Sequence, residues 1–438
     1  MRRFLQGRRL AVVLAVVAAI PLVGLATSSA ARADWVILEY DESGRIVGVK
    51  RGGEESGPGG LAPAQRTPAP AAPGDPAAPS FAPRFVPDEL IVIDPPEGFG
   101  ETVTGLGFTV IERAVLGGLS TVVVHLKIPP RASVPESLRR LRGRFPGLVI
   151  DANHIIEPAR GGPTPDAIAG LMLGWPHADA DCGRDLRLGM IDGALDLSHP
   201  ALTRQRIDYR SFHGPEHAPG AVDHGTAVAA MLVGAGIWGG LLPGAELVAA
   251  NIFELDQAGR TKANTMGLIR ALDWMLERRV PLINLSVAGP ANATLERIFT
   301  LAAAKGPVMV AAVGNWGRSD TPAFPAAYPS VVAVTAVAAD HSLYPHANRG
   351  DYVDFAAPGV DIQTAVPGGG RLQSGTSFAA PFVSVLLLRQ IADQGAGTAE
   401  DLRRVLSART RDLGEPGRDA AFGWGLVELP RRCAPRTG

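Results

Sequence analysis

The chain has 438 residues, 46% of them apolar and 19% charged, which is enough for a large buried core and, at roughly 150 residues per domain, for about three domains. Its 42 basic and 43 acidic side chains leave a net charge of −1 with no basic block in the interior, which argues against a nucleic-acid binder. The 52 glycines and 37 prolines follow no period, so the chain is not collagen-like, and two cysteines are too few for a disulfide-rich scaffold or a four-cysteine zinc site.

Residues 1–33 read as an export signal. Arg2, Arg3, Arg8 and Arg9 precede an uncharged apolar run over 10–25, and Ala31-Arg32-Ala33 offers the small-x-small pattern of a cleavage site. The uncharged stretch to Ala31 is also just long enough to span a bilayer uncleaved, so a membrane anchor is the alternative. The expected location is secreted or periplasmic, with membrane contact only if the signal stays. In an oxidising compartment Cys182 and Cys433 become a candidate disulfide joining the two ends of one domain; two buried free thiols are the alternative.

Residues 34–52 read as a short hairpin, with Val36, Leu38 and Tyr40 against Ile46 and Val49. Residues 53–83 form a Pro/Ala/Gly-rich linker that cannot bury enough apolar surface to fold. Residues 84–158 carry four short strands and two helices, the second over 133–145 with Leu138 and Leu141 on one side, which predicts an α+β sandwich of the ferredoxin-like sort. Arg139, Arg140, Arg142 and Arg144 on that helix read as a solvated face, because aromatic partners and a wider basic patch are missing. Over 165–432, near-continuous apolar strands alternate with helical stretches. That pattern predicts an α/β fold: a doubly wound, mainly parallel sheet covered by helices on both faces, with functional groups collected at the carboxyl ends of its strands.

Four short motifs fall at or near those strand ends. Asp192 closes the strand over 186–191, where an aspartate often merely caps a turn. His224, in Asp223-His224-Gly225-Thr226, opens a small-residue helix, where a lone histidine is more often a cap or a packed core residue. Asn315 follows the strand over 308–313 and alone reads as a turn asparagine. Ser377, in Gly375-Thr376-Ser377-Phe378-Ala379-Ala380-Pro381, enters an apolar helix and alone reads as an N-cap serine. Together they supply what acyl transfer at a peptide bond needs. Ser377 is the nucleophile and Asp192 orients the base. His224 is that base, histidine being the side chain that exchanges protons near neutrality. Asn315 and the Ser377 backbone N–H are donors for the oxyanion. The order Asp…His…Ser is one of the few known arrangements of this machinery.

On these motifs the chain resembles the subtilisin-like serine proteases, the subtilases. The 375–381 segment resembles the family's nucleophile motif, with Phe378 where methionine is common, and His224-Gly-Thr-Ala-Val-Ala resembles its histidine motif, with Ala227 where a second histidine is common. Ile283-Asn-Leu-Ser286-Val287-Ala288-Gly289-Pro290 resembles the strand that pairs with substrate backbone, and 423–427 the domain-closing segment. The resemblance covers about 165–430 and implies a self-processed, exported serine endopeptidase that acts on proteins or peptides. Residues 84–158 are similar to the propeptides of such enzymes and imply processing within 157–171. Substrate-binding residues carried over are Ser286, Val287, Ala288, Gly289, Ala312 and Gly314. Ala288 stands where a glycine usually borders the pocket for the residue before the scissile bond. No acidic side chain occurs in 286–289 or 311–314, so an apolar residue is expected there rather than a basic one.

The chain departs from the family at Asp192-Gly193-Ala194, where Asp-Ser/Thr-Gly is usual, and the alternative reading is a catalytically silent or partner-activated envelope protein that keeps the fold. No cofactor is expected. Calcium is common in the family, but no carboxylate-rich loop is assigned to it; Asp351, Asp354 and Asp361 read as surface charges.

Overall fold

A computed structural model describes residues 35–40, 46–52, 85–158, 180–213, 218–238, 240–255, 261–395 and 397–428. The chain divides into two units, residues 1–78 and 79–438. In the first, β1 (Trp35–Tyr40) and β2 (Ile46–Gly52) pair antiparallel, with Leu38 opposite Val49 and a register shift at Glu39/Tyr40 that brings Tyr40 opposite Ile46. The predicted export signal, the 53–83 linker, the 159–171 processing region and Cys433 lie outside the described residues.

The second unit begins with β3 (Phe85–Ile93), α1 (Phe99–Gly105), β4 (Thr109–Leu116), β5 (Thr121–Lys127), α2 (Val134–Arg144) and β6 (Val149–Pro158). Its strands pair antiparallel in the order β6-β3-β5-β4, a split β-α-β topology. Successive residues of a strand point to opposite faces. Leu90, Val92, Val124 and Leu126 therefore pack beneath α1 and α2 with Phe99, Val103 and Leu141, while Ile91, Ile93 and Val123 face the other way. Ser133 caps α2 by accepting from the Glu136 N–H, and the α2 arginines are exposed on its outer side.

The larger sheet is built from β7 (Arg187–Asp192), β8 (Arg206–Ser211), β9 (Glu246–Asn251), β12 (Leu282–Leu285), β14 (Val308–Ala312), β15 (Val331–Val337), β16 (Phe355–Pro358), β19 (Thr410–Arg411) and β20 (Leu426–Val427). Its order is β19-β20-β16-β15-β14-β12-β7-β9-β8, and only the β19–β20 pairing is antiparallel. Both faces are buried. Leu188, Met190, Val308 and Val310 pack against α3 (Asp223–Val233) and α6 (Thr376–Gln394), while Ile191, Met309 and Ala311 pack against α4 (Thr265–Glu277) and α5 (Ala293–Ala304). From β7 the chain steps out to the edge strand β8, returns to β9 beside β7, and then crosses to β12 on the other side of β7 and winds outward in the opposite direction, so the order reverses around β7. Functional groups of such sheets gather at the carboxyl ends beside that reversal. Edge strand β8 (RIDYRS) lacks an apolar run, and α7 (Ala399–Ser407), held by a Thr398–Asp401 capping box, is short; neither stands out in the sequence.

The small sheet is sandwiched between its own two helices and α4/α5. Ile91, Ile93, Val123, Leu119 and Ile156 join Leu268, Leu272, Leu295 and Phe299 in one apolar cluster. The Asp151 carboxylate accepts from the Ala293 N–H at 2.8 Å and the Asn153 side chain accepts from the Thr265 N–H at 3.0 Å, so the module supplies acceptors to the first turns of α5 and α4. N–H groups there have no partner inside their own helix and carry the positive end of its dipole. Arg270 pairs with Glu112 across the same contact.

One expectation is corrected. Asp354 is not a surface charge: it is buried, accepts from the Ala333 N–H at 2.9 Å and pairs with Arg403 at 2.8 Å and Arg418 at 3.5 Å. Asp351 is exposed, and Asp361, at φ 56°, accepts from the Ser374 hydroxyl at 3.2 Å. Among the described residues no three His, Cys, Asp or Glu side chains converge to hold a metal ion.

Candidate active site

Asp192 is the last residue of β7 and is fully buried. Its Oδ1 accepts from the Gly193 N–H at 2.5 Å and from His224 Nδ1 at 2.7 Å, while its Oδ2 is buried without a hydrogen-bond partner. His224, the second residue of α3, can be this close because Gly225 follows it. A Cβ on Gly225 would stand 2.5 Å from the Gly193 carbonyl oxygen and 2.6 Å from that of Ala194. Gly193 is different: a Cβ there would meet nothing nearer than 3.4 Å, so its turn has room for a side chain. With Nδ1 donating to the carboxylate, Nε2 of His224 is the acceptor end of the ring. It too is buried without a partner, and the ring lies 5.4 Å from that of Phe378, the neighbour of Ser377.

Ser377 is the second residue of α6, fully buried, after Gly375 in a backbone conformation (φ 153°) that favours glycine. Four residues on stands Pro381. Proline has no N–H, so the helix cannot return a hydrogen bond to the Ser377 carbonyl. The acceptor is satisfied from outside: Ser286 Oγ, just past β12, donates to the Ser377 oxygen at 3.1 Å. Ser286 in turn accepts from Asn284 Nδ2 at 3.1 Å, and Asn284 Oδ1 accepts from Ser384 Oγ at 2.9 Å. This fully buried chain fastens α6 to the strand pair that crosses beneath it.

Asn315 lies beyond β14, after Gly314 at φ 91°. Its side-chain oxygen accepts from both the N–H and the hydroxyl of Thr376, at 3.0 and 2.9 Å, which fixes the amide so that its NH₂ end is turned from Thr376. Asp192, His224, Asn315 and Ser377 thus come from the ends of β7 and β14 and the starts of α3 and α6.

The six expected substrate-binding residues lie at and around β13 and at the end of β14. Val287 and Ala288 form β13, which pairs antiparallel with β6, Val287 opposite Pro158 and Ala288 opposite Glu157. On its other edge β6 pairs with β11 (Thr261–Asn264), Ala263 opposite Ile156. The last strand of the small module therefore lies as the middle strand between two short strands and runs toward Ser286. Gly289 exchanges two backbone hydrogen bonds with Phe324, at 2.8 and 2.9 Å. Ala288 and Ala312 are buried together with Ala323 and the partly buried indole of Trp316. Trp316, Ala323 and Phe324 are missed by motif reasoning; the one clue is a bulky aromatic directly after Asn315.

His154 on β6 is largely buried against this region. Its Nδ1 is 2.6 Å from Asn292 Nδ2, which makes the imidazole the acceptor, and burial holds its pKa below the usual histidine value despite the nearby Asp151 carboxylate. Cys182 is buried; its expected partner Cys433 lies outside the described residues.

Residues 183–425 match the family model described as Subtilase family. The chain is 30% identical over 262 residues to Subtilisin E of Bacillus subtilis (strain 168), covering 58% of this chain and 67% of that protein. It is 31% identical over 256 residues to the Minor extracellular protease Epr of the same strain, covering 56% of this chain and 38% of Epr. Its fold is similar to the crystal structure of fervidolysin from Fervidobacterium pennivorans, described as a keratinolytic enzyme related to subtilisin, with a TM-score of 0.64 and 22% identity over 78% of this chain and 60% of that one.

Proposed function

The chain belongs to the subtilase family of serine endopeptidases, and from that premise we propose that it is an exported peptidase that works through Asp192, His224 and Ser377 and is made as a precursor inhibited by its own residues 84–158. The observation that carries the reading is the 2.7 Å bond from His224 Nδ1 to a buried Asp192, which leaves His224 Nε2 as an acceptor beside the start of α6. His224 takes the proton of the Ser377 hydroxyl as its oxygen bonds to the substrate carbonyl carbon. Asp192 stabilises the imidazolium. Asn315 Nδ2 and the Ser377 N–H at the helix start donate to the oxyanion. The C–N bond then breaks, the leaving amine takes the proton from His224, and water hydrolyses the acyl-enzyme by the same groups.

Two features support the precursor reading. Strand β6 fills the slot between β11 and β13 that an extended substrate would use, and the chain passes from there into 159–171. A mainly parallel sheet has many contacts distant in sequence and forms slowly, which gives a preassembled module a role in folding. Export rests on the signal-like 1–33 segment and oxidation on Cys182, which carries no free thiol; we extend this to a Cys182–Cys433 bridge.

The buried, unpartnered Asp192 Oδ2 favours a second reading, a silent fold, because the Gly193 turn lacks the hydroxyl usual in the family. Intact mass before and after a serine-directed fluorophosphonate separates the two. A mature species starting within 158–171 with one adduct on Ser377 is expected; full-length protein that takes no label refutes the enzyme.

A further inference from the structure

Resting on that reading, we propose that Trp316 closes the pocket for the residue before the scissile bond, limiting it to alanine-sized side chains, and that the precursor presents Ala159 there. The pocket walls are β13 and the end of β14, and from each a methyl, Ala288 and Ala312, meets the Ala323 methyl and the Trp316 indole. The Trp316 indole packs on this cluster of methyls, and in this proposal it takes up the space that a larger substrate side chain would need. That ring is carried on a fastened backbone: the Trp316 N–H donates to Asn348 Oδ1 at 3.0 Å and the Gly317 N–H to the His346 carbonyl at 2.7 Å. The wall opposite is equally set, since a Cβ on Gly314 would lie 2.9 Å from the Ala323 Cβ.

The register identifies the residue concerned. Glu157 lies opposite Ala288 and Pro158 opposite Val287. Residue 159 lies outside the described residues; on the proposal, one further step of the antiparallel alternation, about 3.8 Å of chain, sets it against Ser286, whose hydroxyl is bonded to the Ser377 carbonyl. That residue is an alanine. Three positions upstream Ile156 is buried beside Gly289, an apolar anchor that fixes the frame. Ser377 Oγ then bonds to the Ala159 carbonyl carbon, the bond to Arg160 breaks, the Arg160 amine takes the proton held by His224, and water releases Ala159 as a carboxylate.

The test uses the full-length protein allowed to process itself, with kcat/KM measured on Ile-Glu-Pro-X p-nitroanilides where X is Ala, Leu, Phe or Arg. We expect a mature N-terminus at Arg160 and at least about tenfold preference for Ala over Leu and Phe, the scale on which pocket size discriminates. Trp316→Ala should raise Phe relative to Ala by about tenfold or more. Fluorophosphonate titration of the same preparation separates the failures: no label refutes the peptidase and this inference with it, whereas a labelled wild-type enzyme that prefers Phe or Arg overturns the inference alone. Should Trp316→Ala not fold, the wild-type profile decides by itself.

Discussion

Pro381 and Ser286 should be energetically coupled although they lie on different elements. Ser286→Ala removes the donor to the Ser377 carbonyl and the acceptor of one Asn284 N–H, both fully buried. Each orphaned group costs roughly 1–3 kcal/mol, so the single variant should lose about 2–6 kcal/mol. Pro381→Ala restores an N–H four residues after Ser377, and the helix can then satisfy that carbonyl itself. In that background Ser286→Ala leaves only the Asn284 N–H unpaired, and its penalty should fall by about 1–3 kcal/mol. The cycle is measured by urea unfolding of the four precursors, each also carrying Ser377→Ala to stop autolysis. Penalties equal within about 0.5 kcal/mol in the two backgrounds would refute the reasoning.

Other substitutions probe the site itself. Ser377→Ala should retain the module covalently and abolish hydrolysis, read from intact mass. Asn315→Ala should lose about 10²–10³ in kcat, a magnitude measured on a subtilisin and transferred here, with processing slowed in parallel. Gly225→Ala pushes a methyl against two backbone carbonyls; it should lengthen the Asp192–His224 bond, cost about 1–3 kcal/mol in stability and lower kcat by about 10². His154 makes retention of the cleaved module pH-dependent. Its docked pKa lies below the free value near 6.5, so docking is strongest above that pH and weakens as pH falls toward the docked pKa, at most tenfold per unit. Size-exclusion retention of the module between pH 8 and 5 checks this, and His154→Gln should flatten the profile.

The elements visible in the sequence are those whose burial writes a pattern. Both faces of β7, β14 and β15 are covered, so they read as unbroken apolar runs; β3 and β5 of the module keep a similar signal. Strands β11 and β13 are too short to have a period and exist because β6 lies between them. The site divides in the same way. Asp192, His224, Asn315 and Ser377 are legible because each sits in a local motif. The Ser384–Asn284–Ser286–Ser377 chain and the packing of Trp316 on three alanines join residues distant in sequence, and none of them is unusual alone. Asp354 misleads for a related reason: its burial is set by Arg403 and Arg418, which arrive from 49 and 64 residues further along.

On the proposed function, the slot between β11 and β13 also sets what kind of protein can be cut. A target must bring a stretch of backbone with both edges bare, and a folded protein keeps the edges of its strands paired or covered. Cleavage of a native target then proceeds through whichever of its segments open, and when opening is fast relative to cleavage its rate follows the target's own local unfolding free energy. On the proposed function, such an enzyme would measure the looseness of its neighbours, cutting damaged or half-assembled proteins far faster than well-packed ones.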